Sequence, residues 1–227
     1  MFTTPRLILI ALGAALNCSI GTIVYLLKLP VFLDSIGTIL VALLLAPDRT
    51  AAFICSWAAG WVGLAVSGMI NPFLPWFALT DVAIALVAAL LVTRAAPIFR
   101  ARPIPSEPPQ KRTATGKLIH ELRSFLHVSA FTGNVILSGV VMGVISAIVS
   151  APVVVYLFGG VTGSGSAFFV AFFLKDGLHL MGATILSGLA TDPLDKILQV
   201  LFAALLYRAT PADFIAMLRT KEPEPSL

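Results

Sequence analysis

The residues that could do chemistry are polar groups lying in or beside long apolar runs: Asn17, Asp34, Asn71, Trp76, Asp81, Asp195 and Lys196. At membrane depth such groups cost several kcal/mol unless paired or hydrated, so a pocket that binds a small molecule is the first expectation. Catalysis is not expected. The glutamates Glu107, Glu121, Glu222 and Glu224 fall in a basic linker or the C-terminal tail, away from every apolar run. His120, His127 and His179 are not at metal-ligand spacing with one another or with a cysteine, so no metal site is expected. Thr115-Gly116-Lys117 lacks the glycine-rich approach of a phosphate-binding loop. The expectation is therefore a chain that is no enzyme, holds no cofactor and hydrolyses no ATP of its own.

The elements that position these groups follow from composition. Of 227 residues, 58% are hydrophobic and 11% charged, with a mean hydropathy of +0.98, whereas soluble domains carry about a quarter charged residues. The chain is a polytopic membrane protein. Its unbroken apolar runs favour helices over a β-barrel, because in lipid a helix satisfies every backbone group within the run. The expected fold is an all-α, six-helix transmembrane bundle forming one domain over 1–227, with spans near 7–27, 35–46, 50–68, 77–92, 128–157 and 193–208. The first run is too long for a cleaved signal peptide and has no small-x-small site at its end.

Residues 94–123 read as a basic, proline-rich linker and 209–227 as a tail containing a short amphipathic helix. Arg6, Arg49, the linker and the tail's Arg219 and Lys221 place both ends in the cytoplasm by the positive-inside rule. Orientation and anionic lipid explain the linker's charge better than nucleic acid does. Residues 167–189 are apolar but interrupted by Lys175, Asp176, Gly177 and His179, and read as re-entrant or extracytoplasmic. Asp192-Pro193-Leu194-Asp195 reads as the start of the last helix, a cap followed by a first-turn proline. A seventh span would instead put Arg208, Arg219 and Lys221 outside.

In this arrangement Asp34, Asn71, Trp76, Asp81, Asp195 and Lys196 gather at the outer ends of the spans, with Thr162, Lys175, Asp176 and His179 in the outer loops. They either line one outward pocket or serve as helix caps and interfacial anchors. Asp34, Asp192 and Asp195 stand where caps are expected, whereas Asp81 and Lys196 fall just inside spans. Asn17 either bonds a neighbouring helix or reaches the pocket floor. Cys18 and Cys55 lie inside spans as ordinary packing residues. On helix 1, at about 100° per residue, Ala11, Ala14, Ala15, Cys18, Ser19, Gly21 and Thr22 form a smooth face. Such a face packs closely against another helix, of this chain or of a partner.

The run Ala11-Leu-Gly-Ala-Ala15-Leu-Asn17, the link Leu29-Pro30-Val31-Phe32-Leu33-Asp34 into a short second helix ending at Ala46-Pro47, and Asp192-Pro193-Leu194-Asp195-Lys196 resemble the substrate-binding S component of energy-coupling factor (ECF) transporters. The resemblance implies six helices in the plasma membrane and an outward pocket for a vitamin-like micronutrient, shaped by the loop after helix 1. It also implies partners: a transmembrane coupling protein, docked at the positions of Ala11 and Ala15, and two ATP-binding subunits. The long segment before the last helix departs from the compact family pattern.

Overall fold

The structure, a computed structural model, describes residues 3–29, 31–70, 74–100, 114–160 and 166–219, with backbone alone at 114–127 and 219. Its described residues are helical: α1 (Thr4–Leu26), α2 (Ile36–Leu45), α3 (Arg49–Ser67), α4 (Ala78–Val87), α5 (Thr93–Arg100), α6 (Ala114–Phe158), α7 (Ala167–Lys175), α8 (Leu180–Ala209) and α9 (Ala212–Arg219). A 3₁₀ turn, Leu74–Phe77, leads into α4, and a widened π-helical turn, Ala88–Val92, joins α4 to α5 in one continuous rod. Four helical segments are long and apolar enough to cross a membrane: Thr4–Leu26, Arg49–Ser67, Leu74–Arg100 and Val128–Phe158. A fifth is made by α8 with α9, which is bent from it by 102°.

Three expected boundaries move. The rod from Leu74 runs on to Arg100, and α6 already begins at Ala114, so most of the expected linker is helix and only its middle lies outside the described residues. The last helix begins at Leu180, not at residue 193, and Pro193 lies inside it. The segment 167–189 is accordingly divided between α7 and the first turns of α8.

Proline is tolerated there because of what faces it. Gly139, Gly143 and Ala147 recur every fourth residue along α6 and meet Ile197, Pro193 and Gly188 of the antiparallel α8. A Cβ on Gly139 or Gly143 would run into the backbone of Ile197 or Pro193. Small residues let the two helices approach to backbone contact, as membrane helices do when dispersion must supply the attraction. This is the most extensive helix pair of the bundle.

α2 is about 15 Å long, half a bilayer's hydrocarbon thickness, yet all of its residues but Leu40 are buried. Protein surrounds it, which is what an all-round apolar helix needs. α1 packs on α2 and, more extensively, on α3, burying Leu9, Ile10, Gly13, Ala14 and Asn17. The Asn17 side chain clamps the crossing: its Nδ2 donates to Thr38 Oγ1 at 2.9 Å, and its Oδ1 accepts from Gly37 N–H at 2.6 Å. At the far end Asp48 caps α3 by accepting from Ala51 N–H at 3.0 Å and pairs with Arg6 at 3.5 Å, while α9 folds against α2 and α1, burying Ile215 and Leu218.

Gly37 is a tight point of the α1–α2 crossing, since an added Cβ would overlap the Gly13 carbonyl and the Asn17 amide. Gly37→Ala should destabilise the protein by about 2–3 kcal/mol. Gly133→Ala, exposed on α6 with open space around its Cβ position, should leave stability unchanged or raise it by about 0.5–1 kcal/mol. Unfolding in detergent would check both, and equal midpoints would contradict this packing.

Candidate functional site

At the end of the bundle opposite Arg6 and Asp48, a cavity of about 910 Å³, its open mouth included, is walled by α3, α4, α6, α7, α8 and the segment between α1 and α2. Phe32, Leu64, Leu74, Phe77, Ile84, Val154 and Val170 make its apolar surface. Its polar surface comprises Asp34, Asp81, Asp192 and Lys196 with a set of serine and threonine hydroxyls. α7 covers one side, its start tied to α8 by Ser187 Oγ donating to the Ser166 carbonyl at 3.0 Å. Phe77 stacks on Phe158 with ring centroids 5.7 Å apart.

Beside the cavity sits a fully buried carboxylate, Asp195. Its Oδ1 accepts from the N–H groups of Phe32 at 2.9 Å and Leu33 at 3.0 Å. Its Oδ2 accepts from Lys196 Nζ at 2.9 Å and Gln199 Nε2 at 2.7 Å. Leu33 adopts a left-handed backbone, φ 50°, which costs an ordinary residue about 1–2 kcal/mol. Consecutive N–H groups thereby converge on one oxygen, an anion-binding concavity formed by the chain itself. Gln199 extends the seam by accepting from Ser35 N–H at 3.1 Å, and Lys196 reaches Asp34 at 3.6 Å. The α1–α2 segment is thus stitched to α8 by side chains from one face of that helix.

Asp81 is held differently. Its carboxylate lies where a Cβ on Gly60 would be, so the glycine in α3 makes room for it. It is 5% exposed, and its Oδ2 has no hydrogen-bond partner. Thr80 Oγ1, Ser146 Oγ and Thr184 Oγ1 are likewise buried and unpartnered, and all three residues line the same cavity. A lost hydrogen bond to a buried polar atom costs about 1–3 kcal/mol. All four atoms are placed where water or a solute entering the cavity could reach them.

The expected site is brought together in part. Asp34, Asp81 and Lys196 line the cavity. Asn17 does not; it is consumed in the α1–α2 clamp. Trp76 is 60% exposed and outside the lining, although Leu74 and Phe77 beside it belong to it. Asn71 and Thr162 lie outside the described residues. Lys175, Asp176 and His179 are exposed and outside the lining. Asp192, read from sequence as a helix cap, is instead buried in α8 and lines the cavity, its Oδ1 accepting from Thr191 Oγ1 at 3.2 Å. Ala11 and Ala15 are exposed on α1. Among the described residues no three His, Cys, Asp or Glu side chains are placed to hold a metal ion.

Fold and site define a multi-pass helical membrane protein with a mainly apolar cavity at one end that carries carboxylates and hydroxyls. No protein-family model, curated protein or solved structure matches the chain.

Asp195→Ala should free the Phe32 and Leu33 amides, raising hydrogen exchange across 31–35 by about tenfold or more while α3 stays protected. Asp195→Asn, which keeps an acceptor, should lose less protection. Exchange unchanged in the alanine variant would contradict the anchor.

Proposed function

We propose that this chain is the substrate-binding S component of an ECF-type importer, capturing a vitamin-like small molecule outside the cell and releasing it to the cytoplasm. The observation that carries the reading is the cavity, a mainly apolar space on which Thr80, Asp81, Ser146 and Thr184 present buried polar atoms with no protein partner. Its mixture of aromatic, aliphatic and a few polar contacts suits a small ring-bearing compound.

Orientation supports the reading. Arg6, Arg49, Arg94, Arg100 and Arg208 lie toward the end away from the cavity. With that end in the cytoplasm of an inner (plasma) membrane protein, the cavity faces out. Counting α2, whose half length suffices because protein encloses it, the chain makes six passes with both ends cytoplasmic. On this reading the protein is no enzyme and needs no cofactor. Energy comes from a transmembrane coupling protein and two ATP-binding subunits, whose ATP hydrolysis tilts the bundle to release its load.

Ala11 and Ala15 are the proposed docking strip. Gly13, Ala14 and Asn17 take the internal packing of α1, leaving the two alanines on its outward side, where small residues admit a partner helix. A second reading, a stand-alone secondary transporter, is favoured by one observation: Asp81 and Asp192 are both buried within the bundle, as a proton- or sodium-coupled carrier requires.

Affinity purification from the native membrane with mass spectrometry tests the choice. Wild type should bring down a coupling protein and ATPases, and Ala11→Trp/Ala15→Trp should lose them while remaining folded. Wild type purifying alone, with uptake into liposomes driven by an ion gradient, would establish the second reading instead.

A further inference from the structure

The charges around the cavity restrict what it can hold. Three carboxylates line it, Asp34, Asp81 and Asp192, with Asp195 immediately behind, while Lys196 is the one cation among the described lining residues. That cation is already engaged, at 2.9 Å from Asp195 and 3.6 Å from Asp34. Its ammonium is buried between them, so a phosphate or carboxylate entering the cavity would find no free positive partner and would face Asp81 and Asp192. Anions are thereby disfavoured, since an unpaired charge out of water is among the costliest arrangements available.

Asp81 states the complementary requirement. It is nineteen-twentieths buried, lines the cavity and has an unpartnered Oδ2. Holding Asp81 in its charged form in this place takes a partner that carries positive charge, and because an ionised carboxylate only accepts hydrogen bonds, that partner must donate. Thr80, Ser146 and Thr184 add hydroxyls from α4, α6 and α8 that are likewise unpartnered. A bare metal ion does not fit: no three acidic, histidine or cysteine groups converge among the described residues, and apolar side chains form much of the wall.

We infer that the cavity selects an organic cation, a compound whose protonated nitrogen donates to Asp81 and faces Asp192 while its apolar body lies against Phe32, Leu64 and Phe77. This rests on the reading of the cavity as a binding site. Charge-assisted hydrogen bonds supply the specificity, and the hydroxyls satisfy further polar atoms of the same molecule. Lys196 then acts as the internal counter-ion that keeps Asp34 and Asp195 from competing for the cation.

The test uses matched compounds that share a ring and differ in charge: tryptamine, tryptophol and indole-3-acetate, then benzylamine, benzyl alcohol and benzoate. Binding to the purified full chain is read by thermal shift and equilibrium dialysis, and small molecules retained by the protein are extracted and identified. The amines should bind at least about tenfold tighter than their neutral and anionic counterparts, and Asp81→Asn should remove that preference. Asp192→Asn, equally isosteric, should weaken it, which keeps the inference testable if one variant fails to fold. Preference for the alcohols or acids, or a preference for amines unchanged in both variants, overturns it. If none of the six binds, a retained organic cation supports the inference and a retained neutral or anionic compound overturns it while leaving the binding site standing. No binding and no retained molecule would overturn the binding-site reading itself.

Discussion

The arrangement of this protein depends on one buried carboxylate. Asp195 has no solvent to stabilise it, so its four hydrogen bonds must do so. Each of them also fixes something else. The pair from Phe32 and Leu33 sets the path of the chain between α1 and α2, the bond from Lys196 holds the ammonium against the cavity wall, and the bond from Gln199 orients an amide whose oxygen receives Ser35 N–H. A neutral side chain of similar size could not recruit this set, because the charge is what makes converging N–H groups favourable in a low-dielectric interior.

That seam explains why a cavity carrying charged groups survives in a bundle whose outer surface is suited to lipid. The small-residue contact of α6 with α8 brings Ser146 and Ser150 opposite Thr184 and Ser187, so polar side chains collect on the inner face of the tightest helix pair. The α2 helix, enclosed by protein, fills the other half of the bundle with side chains that are apolar except for Thr38, which Asn17 satisfies. The unpartnered polar groups named above lie at the end opposite Arg6 and Asp48, whereas Asn17, Thr38, Ser56 and Thr93 elsewhere in the bundle are hydrogen-bonded. On the proposed orientation that end faces outside, as capture requires.

Much of this was legible in the sequence. Long apolar runs identify the membrane-crossing helices because a lipid-exposed backbone has no other way to satisfy its polar groups, and Asp81 and Lys196 stand out because charge within such runs is costly. The start of the last helix was not legible. Asp192-Pro193 has the chemistry of a cap and first-turn proline, and only the contact with Gly143 makes room for proline inside α8. The same misreading hid Asp192 from the lining. Asn17 was visible as an odd polar residue, but its two partners, Thr38 and Gly37, decide between clamp and pocket. The hydroxyls were the hardest to see. Serine and threonine in apolar helices commonly bond their own backbone, as Thr93 and Ser150 do here, and only packing distinguishes Thr80, Ser146 and Thr184, which do not.

The central claim is that the cavity is open to the outside of the cell, and its most direct test is labelling of Ser150, a lining residue, as Ser150→Cys in a background carrying Cys18→Ser and Cys55→Ala. A membrane-impermeant maleimide should label this cysteine in intact cells and fail to do so in sealed inside-out vesicles. Labelling confined to the inside-out vesicles would place the mouth in the cytoplasm and contradict capture from outside.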